Sequence, residues 1–113
     1  MRQLCESWLS YSQRRVFPGG CFFFAVTAEF DARPGRVRDA VARASLEWNH
    51  LVARTIEDAR QLGQLADDTD PDQLAFELIA FLETANATSL LHDDPNAYQR
   101  GRTAILNGLA AAA

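Results

Sequence analysis

A chain of 113 residues, 48% hydrophobic and 23% charged, has the balance of one globular domain with a small core. Its net charge of −4 and pI near 5.0 do not suit a surface built to hold phosphate backbones, so direct DNA binding by these residues is not expected. The longest apolar run, Cys21 to Ala28, falls far short of the roughly 20 residues of a membrane span, and Arg2, Glu6 and Ser7 do not resemble a secretory leader, so a cytoplasmic protein without membrane contact is expected. Cys5 and Cys21 then read as reduced, buried thiols. All eleven basic residues are Arg, a bias of composition that carries no function.

Apolar spacings of three and four recur along the whole chain and strand alternation does not, so the chain reads as all-α, a helical bundle of about five helices. Leu4, Trp8, Tyr11 and Arg15 trace one face of a first helix that stops near Val16, because Pro18, Gly19 and Gly20 form a turn. A second helix runs from about Gly20 to Arg33, which Pro34 pushes out of the α region. Phe22, Phe23 and Phe24 project about 100° apart and sweep most of one side, which places this helix at the centre of the bundle.

The third helix is the longest, with Val41, Ala44, Trp48, Leu51, Thr55, Ala59 and Leu62 as its apolar stripe and Gly63 as its stop. After an acidic connector, Asp70 is expected to cap a fourth helix that opens at Pro71 and runs to about Leu91. It carries two apolar stripes: Leu74, Leu78, Phe81 and Ala85 on one side, and Phe76, Ile79, Ala80, Glu83 and Ala87 on the other. A helix apolar on both sides must be covered on both. Asp94 is expected to cap a fifth helix opening at Pro95 and reaching about Leu109, on which Ala97, Gly101, Ala104 and Gly108 share one face. Small residues at that spacing admit a second helix closely, and a second copy of the chain is the natural source.

Catalytic chemistry is scarce. His50 and His92 lack a second His, Cys or carboxylate at metal-ligand spacing, so no metal or other cofactor is expected; His50 reads as a helix residue beside the Trp48 stripe and His92 as a C-terminal helix residue facing the dipole. Gly19-Gly20 reads as a turn, since no strand precedes it and no Gly-x-Gly-x-x-Gly or Lys accompanies it. Glu29 and Glu83 interrupt apolar faces; pairing with an Arg is the commoner reason for such a carboxylate, and a ligand contact the other. The aromatics are the remaining signal. Trp8, Tyr11, Phe23, Trp48 and Phe81 are the candidates for an apolar ligand cavity between helices, against the alternative that they fill the core.

The stretch FPGGCFFFAVTAEFDARPGRVRD, followed by Trp48, by Ala59, Leu62, Gly63 and Leu65, by DPDQLAFEL from Asp70, and by Ala104-Ile105-Leu106 after Arg102, resembles the C-terminal effector-binding and dimerisation domain of TetR/AcrR-type transcriptional repressors. The resemblance covers the chain from 1 to 113 and is most specific in the Pro-Gly-Gly-Cys-Phe block joined to Glu-Phe-Asp-x-Arg-Pro-Gly. It implies a homodimer in which the last two helices of each subunit form a four-helix interface, with Phe76, Ile79, Glu83, Ala97, Gly101, Ala104 and Ile105 as the candidate contacts. It also implies a small hydrophobic or aromatic effector within the bundle, and DNA contact only through an N-terminal helix-turn-helix module that these residues do not contain. The chain is therefore read as a fragment of a longer regulator or a stand-alone remnant of one, and not as an enzyme. The competing reading is a purely structural dimerisation module without ligand.

Overall fold

The computed structural model describes residues 35–113, and among these the chain folds as three helices: α1 (Arg36–Gln61), α2 (Pro71–His92) and α3 (Ala97–Ala111). They correspond to the expected third, fourth and fifth helices; the first two, with Trp8, Tyr11, Phe23 and Glu29, lie outside the described residues. α2 is the middle element, packed by α3 on one side and α1 on the other.

Local chemistry sets the boundaries. α1 ends in a paired-hydrogen-bond cap: the Gly63 amide donates to the Arg60 carbonyl at 3.0 Å and the Gln64 amide to the Ala59 carbonyl at 2.9 Å. This closure needs the left-handed region at Gly63, whose φ is 78°. Leu65 then turns into the core while Arg60 spans the connector, bonding Glu57 at 2.6 Å and the Asp67 carbonyl at 3.0 Å. The Arg60 hydrogen bond holds the Glu57 carboxyl below its ordinary pKa. α2 opens as expected, with Pro71 in the first turn and the Asp70 carboxylate accepting the amides of Asp72 at 3.0 Å and Gln73 at 3.3 Å.

The start of α3 differs from expectation. Asp94 accepts the Asn96 amide at 2.8 Å, two residues on, and so builds a turn ahead of the helix rather than capping it. Pro95 lies in that turn, and the helix begins at Ala97 with Asn96 in the cap position, its side chain unbonded to the helix. At its other end the Ala112 carbonyl accepts the Ala66 amide at 2.7 Å and the Thr69 hydroxyl at 3.3 Å, joining the connector to the C-terminal end of α3.

The core is one cluster running through all three helices, from Val52, Ile56 and Ala59 on α1 through Leu74, Leu78, Leu82 and Ala85 on α2 to Tyr98 and Ile105 on α3. On α1 the expected stripe is buried at Ala59, while the rest of the buried line lies one residue over from it. Val52 and Ile56 are at most 1% exposed, whereas Ala44, Leu51 and Leu62 are exposed and Val41, Trp48 and Thr55 are half-buried. One residue is a turn of 100° on a helix, and both sectors of α1 are apolar, so packing against Leu74 and Leu78 selected between them. On α2 the stripe of Leu74, Leu78 and Ala85 is buried with Phe81 half-buried beside it, and Ala75, Leu82, Asn86 and Ser89 extend the covered side. The opposite stripe is open: Phe76 is 72% exposed, Glu83 is exposed, and Ile79, Ala80 and Ala87 are half-buried. By length and composition α2 is also apolar enough to cross a membrane, a property shared by core helices of its kind.

Candidate functional site

Among the described residues, depressions lie on both flanks of α2. The first is a cleft between α1 and α2 of about 510 Å³, walled by Ser45, Leu46, Asn49 and His50 on α1 and by Asp72, Ala75, Phe76, Ile79, Ala80 and Glu83 on α2. Ser45 and Asn49, one helical turn apart on α1, share its α1 wall with Leu46 and His50. A second hollow of about 520 Å³ continues it past Ala53, Arg54 and Glu57, with His50 and Asp72 lining both parts.

Glu83 is the charged group on the cleft wall beside Phe76 and Ile79. Part of its surface reaches solvent, yet loss of hydration at the carboxyl raises its pKa above the ordinary value. Among the described residues no Arg pairs with it; the ion pairs are Arg60 with Glu57 and the longer Arg100 with Asp94. The commoner reason for a carboxylate on an apolar face is therefore absent from this surface.

The second depression runs between α2 and α3. Ala80, Phe81, Thr84, Ala85 and Thr88 face Ala97, Arg100, Gly101 and Ala104 across a predominantly apolar groove of about 480 Å³. The groove continues through Phe81 and Ala104 into a stretch lined by Gln73, Glu77, Asn107, Gly108 and Ala111. Gly101 makes this pair of helices close: a Cβ built there would lie 2.9 Å from the Ala85 Cβ. At Gly108 the nearest atoms, from Phe81 and Leu78, are 3.8 and 3.9 Å away.

The residues expected at a single interface thus fall on different surfaces. Phe76, Ile79 and Glu83 wall the α1–α2 cleft, while Ala97, Gly101 and Ala104 line the α2–α3 groove. Ile105 is 2% exposed and belongs to the core of one chain. The close approach offered by Gly101 is used within the chain, by α2. The two described residues of the expected ligand cavity separate as well: Phe81 lines the α2–α3 groove, and Trp48 packs half-buried against the core without lining either depression. Leu46, Asn49 and Asp72 on the cleft wall were not anticipated. His50 stands exposed on the cleft and His92 closes α2. Among the described residues no three His, Cys, Asp or Glu side chains cluster as a metal would require.

The sequence matches the family model described as tetracyclin repressor-like, C-terminal domain, over residues 1–105. A comparison with curated proteins gives no match.

Proposed function

Because the chain belongs to the tetracyclin repressor-like C-terminal domain family, we propose that it is the small-molecule-sensing and dimerisation domain of a transcriptional repressor. In this reading a second copy packs along the α2–α3 groove, building a four-helix interface from two helices of each subunit, and a small effector occupies the α1–α2 cleft. The cleft carries the sensing half of the proposal. Its volume of about 510 Å³ falls within the usual range of small-molecule sites, and its wall combines Leu46, Phe76 and Ile79 with a few polar groups, as such sites do. The cavity expected from Trp8, Tyr11, Phe23, Trp48 and Phe81 is a separate proposal, since neither Trp48 nor Phe81 lines this cleft.

The mechanism follows from differential binding. An effector that favours one angle between α1 and α2 shifts the population toward it, and the pairing angle of two subunits joined through α2 and α3 shifts in step. DNA contact belongs to a separate N-terminal module in this scheme.

Thermal denaturation of the full chain with a library of small apolar and aromatic compounds, neutral and charged, tests the sensing half. Binders raise the melting temperature, by the equivalent of about 2.7 kcal/mol at one hundred times the dissociation constant. A library without a single binder, alongside sedimentation as a dimer, leaves the structural module as the function.

A further inference from the structure

Residues 107 and 108 of α3 read Asn-Gly, and three observations set this pair apart from the other asparagines of the described residues. Asn107 is exposed, whereas Asn86 is fully buried. Asn49 and Asn96, also exposed, precede His50 and Ala97, while Gly108 offers a backbone amide with no side chain to hinder it and stands in the last turn of α3. Helix ends open at little cost, and glycine weakens a helix more than any residue but proline. The wall around the pair is acidic. Asp68, Asp70 and Glu77 line the same stretch of the α2–α3 groove, and among the described residues no Arg does.

We propose that Asn107 is a site of spontaneous deamidation, and that the carboxylate it becomes weakens the α2–α3 surface. The Gly108 amide nitrogen attacks the side-chain carbonyl carbon of Asn107, a new C–N bond closes a cyclic succinimide, and Nδ2 leaves as ammonia with the proton given up by the attacking amide. Water then opens the ring at either carbonyl and leaves aspartate or isoaspartate; no oxidant or reductant is consumed. In the intact helix the Gly108 amide is held by the carbonyl four residues back, so the reaction proceeds from the opened last turn. The product is unfavourable there for two reasons. A negative charge near a helix C-terminus opposes the helix dipole, and it adds to the like charges of Asp68, Asp70 and Glu77 on the same wall. The effect on a second copy rests on the dimer reading above: an isologous contact in this groove buries the added charge in both subunits. A seated copy also covers Asn107, so the reaction belongs to the free chain.

The full chain is aged in mildly alkaline buffer, and peptide mapping separates asparagine, aspartate and isoaspartate at each site. Asn107 is expected to convert roughly tenfold faster than Asn49, with isoaspartate among its products, and Gly108→Ala is expected to slow it by about the same factor. Conversion of Asn107 at the rate of Asn49, an unchanged rate in Gly108→Ala, or aspartate without isoaspartate overturns the site. Asn107→Asp, which places the product's charge there from the outset, is expected to weaken self-association in sedimentation by about threefold. If the site converts and Asn107→Asp associates as the parent does, the effect on the groove is overturned and the modification stands. A parent chain that is itself monomeric overturns the dimer reading, and the chemistry of Asn107 is then decided by the ageing experiment alone.

Discussion

Gly101 of α3 lies so close to Ala85 of α2 that a methyl group added to the glycine would stand 2.9 Å from the alanine Cβ. Neither side can yield by rotating a flexible chain, because both atoms are fixed directly to helical backbone. Gly101→Ala is therefore expected to destabilise the fold by about 1 to 3 kcal/mol through overpacking, even though alanine favours a helix over glycine. Gly108→Ala is expected to act in the opposite sense, with a gain of up to about 1 kcal/mol, since its new methyl meets Phe81 and Leu78 at ordinary contact distance. Urea unfolding of the two variants checks the contrast, and a shared sign would show that the α2–α3 distance is not what governs them.

The second copy proposed for the α2–α3 groove is best challenged at Ala104, which is half-buried and lines both stretches of that groove. Ala104→Arg would fill the groove without entering the core of its own chain. Sedimentation equilibrium should show dimerisation weakened by about 1 to 3 kcal/mol, with the helical circular dichroism retained. Dimerisation at unchanged affinity would move the interface to another surface.

Loss of the Asp70 side chain removes the acceptor for two amides at the start of α2. Asp70→Ala should cost about 1 kcal/mol in denaturant unfolding, and Asp70→Asn, which keeps an acceptor oxygen, only a fraction of that. Equal losses in the two variants would assign the effect to charge rather than to the cap.

Glu83 gives the stability a specific pH dependence. Its folded pKa is raised by loss of hydration, so in the window between the ordinary carboxylate value and the raised one the folded state binds more protons than the unfolded state. The contribution of this side chain is intact below the ordinary value and is lost as pH rises through the raised one. Glu83→Gln should therefore come closest to the parent at acid pH and melt higher than it at neutral pH. A difference that is the same at both pH values, or reversed, would mean that hydration of this carboxyl is not what separates the two proteins.

What the sequence disclosed and what it hid follow from the range of the forces involved. The start of α2 was legible because Asp70 and Pro71 act on backbone groups two or three residues away. The start of α3 looked identical in sequence, yet Asp94 bonded the amide of Asn96 and used the same chemistry to make a turn. The phase of α1 was hidden for a longer-range reason. Val52 and Ile56 compete with Leu51 and Leu62 as apolar sectors, and only the arrival of α2 decides between them. Gly101 carried a correct message about close approach, but spacing on one helix cannot say whether the approaching helix belongs to the same chain. The cleft was the least legible feature, since a cavity is space that side chains leave unfilled, and apolar periodicity records only the positions that fill it.

The paired bonds from Ala66 and Thr69 to the Ala112 carbonyl act as a buckle. They fasten the last turn of α3 to the strap that carries the chain from α1 to α2, so all three rods are pinned near one end of the layer and unpinned by these bonds at the other. In the proposed reading, a wedge between α1 and α2 would work against the end that these bonds hold, with the connector as its pivot. Cutting the chain before Ala112 would remove both bonds and, in the proposed reading, the fulcrum through which a molecule held in the cleft would act.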